Sequence, residues 1–65
     1  MMLKDILHRL KEGTEINAYF VNDDGERETV YTQLDDKIPA FVRNADVYGI
    51  DVSDNGVLLV EVEEP

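Results

Sequence analysis

Few residues in this chain could do bond-making chemistry, and they do not converge. There is one histidine, His8, and one serine, Ser53. A general base needs a partner group and a pocket. His8 falls on the polar side of a helical stripe, and Ser53 ends a strand beside a turn. Their spacing joins them to no acid in a nucleophile–base relay. Cysteine is absent, which removes disulfides and thiolate metal sites. The four glycines stand apart and form no phosphate-binding loop. One segment has ligand-like spacing: Asp51-Val52-Ser53-Asp54-Asn55-Gly56 matches the opening of a calcium loop. Such a loop needs a bidentate Glu at its twelfth position and helices on both sides. Here that position is Val62, and both flanks alternate like strands. A hairpin turn is the better expectation. The chain is expected to be no enzyme and to hold no cofactor and no metal.

Carboxylates are the abundant chemistry. Fifteen Asp and Glu stand against six Lys and Arg, for a net charge of −9. Residues 1–12 carry three basic and two acidic groups, whereas residues 13–65 carry three basic and thirteen acidic. A surface this acidic repels phosphate, so direct nucleic-acid binding is not expected. It suits a basic protein surface. Carboxylates spaced along strands and loops can imitate a phosphate backbone and occupy the groove of a nucleic-acid-binding protein. The expected carriers are Asp23, Asp24, Glu26, Asp51, Asp54, Glu61 and Glu63. Solubility alone is the competing account of the same charge.

The elements that position these groups follow from periodicity. Leu3, Ile6, Leu7 and Leu10 recur at helical spacing and predict an amphipathic helix from about Met2 to Glu12, closed by Gly13. Ile16, Ala18 and Phe20 alternate with Asn17, Tyr19 and Val21, which predicts a strand. Asp23-Asp24-Gly25 then makes a turn, and the return strand runs from about Glu26 to Leu34, pairing Ala18 with Val30 and Phe20 with Glu28. Pro39 excludes a central strand in the connector and suits a short helix. There Ile38, Phe41 and Val42 would cap the core, and Asn44 would end the helix in a left-handed residue.

The closing stretch, Val47–Glu63, predicts a second hairpin. A three-residue loop, Asp54-Asn55-Gly56, pairs Val52 with Leu58, Ile50 with Val60 and Tyr48 with Val62. All six then share one face. A two-residue loop would mix apolar and acidic side chains on both faces.

The fold class expected is α+β: an N-terminal helix packed on one face of a four-stranded antiparallel sheet made of two β-hairpins, with a short helical connector (α-β-β-(α)-β-β). Residues 1–65 form a single small domain, since 65 residues build no second core. One short helix covers one sheet face. The other face would carry Tyr19, Val21, Tyr31, Val57 and Leu59 among Asn17, Arg27, Thr29, Asp51 and Glu61. That apolar patch is a second expected partner-binding surface, through which the chain could homodimerise. No apolar run reaches membrane-spanning length, and a cytoplasmic location without membrane contact is expected.

Four pieces of the chain together make a pattern: the stripe Leu3–Leu10, the strand Ile16–Val21, the connector Ile38-Pro39 and the aliphatic-acidic strand Val57–Glu63. In this the chain resembles short uncharacterised proteins of phages and other mobile elements. Proteins of that kind mostly have no assigned activity, and the resemblance carries over no site residue. Some small acidic phage proteins resemble counter-defence (anti-CRISPR-like) inhibitors that block a host nuclease.

Overall fold

A computed structural model describes residues 1–65. In chain order the elements are α1 (Leu3–Leu7), β1 (Ile16–Val21), β2 (Arg27–Thr32), α2 (Ala40–Arg43), β3 (Val47–Val52) and β4 (Leu58–Val62). The class is α+β, with one four-stranded sheet in the order β2-β1-β4-β3.

Both hairpins are built on one turn device. In the first, the Gly25 N–H donates to the Asn22 carbonyl at 2.9 Å, and the Asn22 N–H to the Glu26 carbonyl at 2.9 Å. In the second, the Gly56 N–H donates to the Ser53 carbonyl and the Ser53 N–H to the Val57 carbonyl, both at 2.9 Å. Gly25 and Gly56 take φ of +81° and +82°, a region that side-chain-bearing residues enter at a cost. The residue before each loop adds a side-chain acceptor. Asn22 Oδ1 receives the Asp24 and Glu26 N–H groups, and Ser53 Oγ receives the Val57 N–H. The three-residue loops expected from sequence are therefore present.

The sheet is mixed, not antiparallel throughout. Each hairpin is antiparallel, but β1 and β4 run parallel down the centre, with Ile16 beside Leu58 and Ala18 beside Val60. The reason lies in the connector. A parallel return needs a dozen or more residues, and the span from Gln33 to Asp46 is long enough to travel back along the sheet, carrying α2 with it. The two most apolar strands thereby take the central, doubly paired positions.

Two registers differ from the expected ones by a bulge. Phe20 faces Glu28 as expected, but Ala18 pairs with Tyr31 because Val30 is an extra residue on β2. Val52 faces Leu58 and Ile50 faces Val60 as expected, but Val62 pairs with Val47, and Tyr48 is the extra residue on β3. A bulge moves every residue beyond it to the other parity.

The core lies between the helices and one sheet face. Leu3, Ile6, Ile16, Ala18, Val42, Ala45, Val60 and Val62 form its buried cluster. The N-terminal segment is tied to the start of β3: the Leu3 N–H reaches the Ala45 carbonyl at 2.9 Å, and the Val47 N–H reaches the Met1 carbonyl at 2.8 Å. Asp5 accepts the Met2 N–H at 3.0 Å and fixes the helix entry.

Helix α1 stops at Leu7 with His8 as its C-cap, well short of the predicted Glu12. So short a helix rests on packing and not on propensity, and only Leu3 and Ile6 in it are buried. Gly13 is left-handed (φ +86°) but belongs to a later turn, closed by the Thr14 N–H on the Lys11 carbonyl. In the connector, Pro39 is the N-cap of α2, Val42 is buried and Ile38 packs against the core. Phe41 instead points outward, 61% exposed, and Asn44 keeps φ −91°, not a left-handed value. No helix is long and apolar enough to cross a membrane.

Candidate protein-binding site on the open sheet face

The face turned away from the helices is built in rows across the four strands. One row runs Thr29–Tyr19–Glu61–Gly49, and the next runs Thr32–Asn17–Leu59–Asp51. Strand alternation dictates this content once β1 and β4 have turned Ile16, Ala18, Val60 and Val62 toward the helices.

Where the rows meet β3, Tyr19, Gly49, Ile50, Asp51, Leu59 and Glu61 line a shallow groove of about 260 Å³. Its acidic lining residues are Asp51 and Glu61. Gly49 brings no side chain, and the space above its Cα is open, so Glu61 is reachable from the β3 side. On the opposite side, the Arg27 guanidinium lies 4.6 Å from the Tyr19 ring centroid, a cation–π distance. Thr29 Oγ1 donates to Asn17 Oδ1 at 3.2 Å along the same face. The cation on this face therefore sits toward β2, and the carboxylates toward β3.

The acidic residues expected to act together are divided by the topology. Because β1 and β4 are parallel, the loop after β1 and the end of β4 share one end of the sheet. Asp23, Asp24, Glu26 and Glu63 gather there, all exposed. Asp54, in the loop before β4, is at the opposite end. Asp51 and Glu61 lie between, on the groove. The set runs from one end of the sheet to the other by way of the groove and is not a single cluster. Asp51 is also occupied locally, its Oδ1 accepting the Val52 N–H at 2.8 Å.

The expected apolar patch is smaller than the sequence implies. Tyr31 is on the other face: its pairing with Ala18 turns it to the core, against which it packs. The bulge at Val30 is the cause. Tyr19 is 9% exposed, closed over by its neighbours, Val57 and Leu59 are half-buried, and Val21 is the open one at 41%.

Sequence reasoning missed a different apolar group. Tyr48, Ile50 and Val52 were expected in the core, yet they are 65%, 50% and 61% exposed. They sit on β3, an edge strand that the two short helices do not reach. The available signal was helix length: one stripe of a few turns covers about two strands, not four. Gly49 was a second signal, since glycine inside a strand marks a bulge or a close approach.

His8 is exposed on α1, and Ser53 spends its hydroxyl on the hairpin turn. The segment Asp51–Gly56 is the end of β3 and its turn, as expected. Comparison of the chain with protein-family models, curated proteins and solved structures finds no match.

Proposed function

We propose that the chain is a non-enzymatic protein-binding module that sets carboxylates against a basic protein surface. The observation carrying this is the groove on the open face, where Asp51 and Glu61 flank Tyr19 and Leu59. Partly covered apolar surface beside two like charges favours a partner that supplies both a desolvated contact and cations. Asp23, Asp24, Glu26 and Glu63 extend the negative field toward one end of the sheet, and Asp54 toward the other. A partner that normally holds nucleic acid has the matching surface, so the module acts as an inhibitor by occupying it. The reach of the field steers association and makes it salt-dependent.

The test is capture of partners by the wild-type chain and by the variant Asp51→Asn/Glu61→Gln/Glu63→Gln, at low and at high salt. The reading predicts basic partners retained by the wild type at low salt and lost both at high salt and in the variant. Equal capture by the neutralised variant removes the carboxylates from the mechanism, and a chain that captures nothing under either condition ends the reading. Self-association through the open face, the other expectation, loses support because Tyr31 faces the core and Tyr19 is closed over.

A further inference from the structure

The edge strand β3 has free backbone groups and free side chains at the same residues. The Ser53 N–H closes on the Val57 carbonyl, and Asp51 faces Leu59 two residues on. In an antiparallel ladder the bonded pairs alternate. Ser53 and Asp51 therefore bond inward to β4, and the N–H and C=O of Ile50 and Val52 point away from the sheet. The side chains of those same residues are exposed and apolar on the helix side, as their partners Val60 and Leu58 set it. The groove with Asp51 and Glu61, which Ile50 also lines, opens on the other face of the same edge.

We infer that β3 accepts an extended segment of a basic partner as a fifth strand, one that alternates apolar and cationic residues. This rests on the proposed acidic binding reading and specifies its mode. Strand alternation makes one chain satisfy both sides of the edge. Its apolar side chains meet Ile50 and Val52. Its Lys or Arg side chains fall on the other side, pass over the bare Gly49 and reach Asp51 and Glu61. The Val52 N–H, now held by the Asp51 carboxylate at 2.8 Å, is handed to the incoming carbonyl as the carboxylate turns to the incoming cation. Unoccupied, that same contact blunts the edge against unspecific pairing. Charge selects the occupant. A second copy would bring its own Asp51 and a further net charge of −9 to the same edge, whereas a cationic segment is drawn to it.

The probe is a capped peptide of alternating lysine and valine, about eight residues long to match a strand. Its control has the same composition with the lysines and valines in blocks. Binding is followed by amide NMR shifts and hydrogen exchange. The alternating peptide should bind about tenfold more tightly than the block peptide, protect the Ile50 amide from exchange, and lose about tenfold in Ile50→Pro, which removes an outward N–H that β4 does not use. Gly49→Thr, whose added Cβ meets open space, should keep the fold and weaken binding by covering the groove. It also carries the test if Ile50→Pro fails to fold. Equal binding of the two peptides, or an Ile50 amide that stays unprotected, overturns strand addition while leaving the acidic reading standing. Failure of both peptides to bind at low salt overturns both. A doubled mass in the absence of peptide would assign the edge to a second copy and overturn the proposal.

Discussion

Ile50 and Val60 face each other across the closing hairpin, and they live in different environments. Val60 is fully buried, whereas Ile50 is 50% exposed. Strand pairing puts both on the helix side of the sheet, so parity does not separate them. Position does: β4 is central, β3 is the edge, and the roof made by α1 and α2 ends between them. The division assigns stability to one member of the pair and leaves the other free for contact.

The first prediction follows from that pair. Val60→Ala should cost about 2–3 kcal/mol, from lost transfer energy and the cavity left behind. Ile50→Thr should cost about 0.5 kcal/mol or less, as surface substitutions do. Urea denaturation measures both. Equal losses would mean that the edge strand is packed like the central one.

Both hairpin turns depend on one left-handed glycine. Gly25→Ala and Gly56→Ala place a Cβ at φ of +81° and +82°, with no steric neighbour within 4 Å at either site. The cost is therefore conformational alone, about 1 kcal/mol each. The turns lie at opposite ends of the sheet, so the double variant should lose the sum. Thermal and urea melts check this, and a loss well above the sum would reveal coupling through the central strands.

Much of this architecture is legible in the sequence, and the missing parts have identifiable causes. The two turns and both three-residue loops follow from Asp, Asn and Gly chemistry that is local to each loop. The pairing of β1 with β4 is not local. It depends on how far the connector travels, and Ile38-Pro39 marks a helix start without fixing its path. The bulges are hidden for a related reason. The extra residues at Val30 and Tyr48 bring Tyr31 and Val47 onto the core, a gain that exists only once the helices cover that face, and Tyr48 itself is left outside. The hairpin register puts Asp51 and Glu61 on one outer face, and they line one groove there. The edge strip beside them required knowing where the helices end.

Tyr19 and Arg27 allow a third prediction. The guanidinium lies 4.6 Å from the ring centroid, on a solvent-facing surface where such a contact contributes about 0.5–1 kcal/mol. A double-mutant cycle with Arg27→Ala and Tyr19→Leu should return a coupling of that size. It should survive added salt better than an exposed ion pair, since part of the contact is ring burial. A coupling near zero would make Arg27 a bystander, and the burial of Tyr19 would then rest on its β4 neighbours.

The fourth prediction sets folding and binding against each other through the same charge. At net −9 on 65 residues, the folded chain repels itself, and compaction gathers the carboxylates of β3, β4 and both turns. Sodium chloride screens that repulsion, so stability should rise by about 1 kcal/mol between low and moderate salt, a gain of roughly 4–8 °C in Tm for a domain of this size. Partner binding through the same carboxylates should weaken over that range. Neutralising Asp51, Glu61 and Glu63 should reproduce both effects at low salt: a more stable fold with a weaker grip on a basic surface. A Tm that falls or stays flat as salt is added would show that the acidic groups are compensated within the fold, and that they are not the uncommitted charge on which the binding site depends.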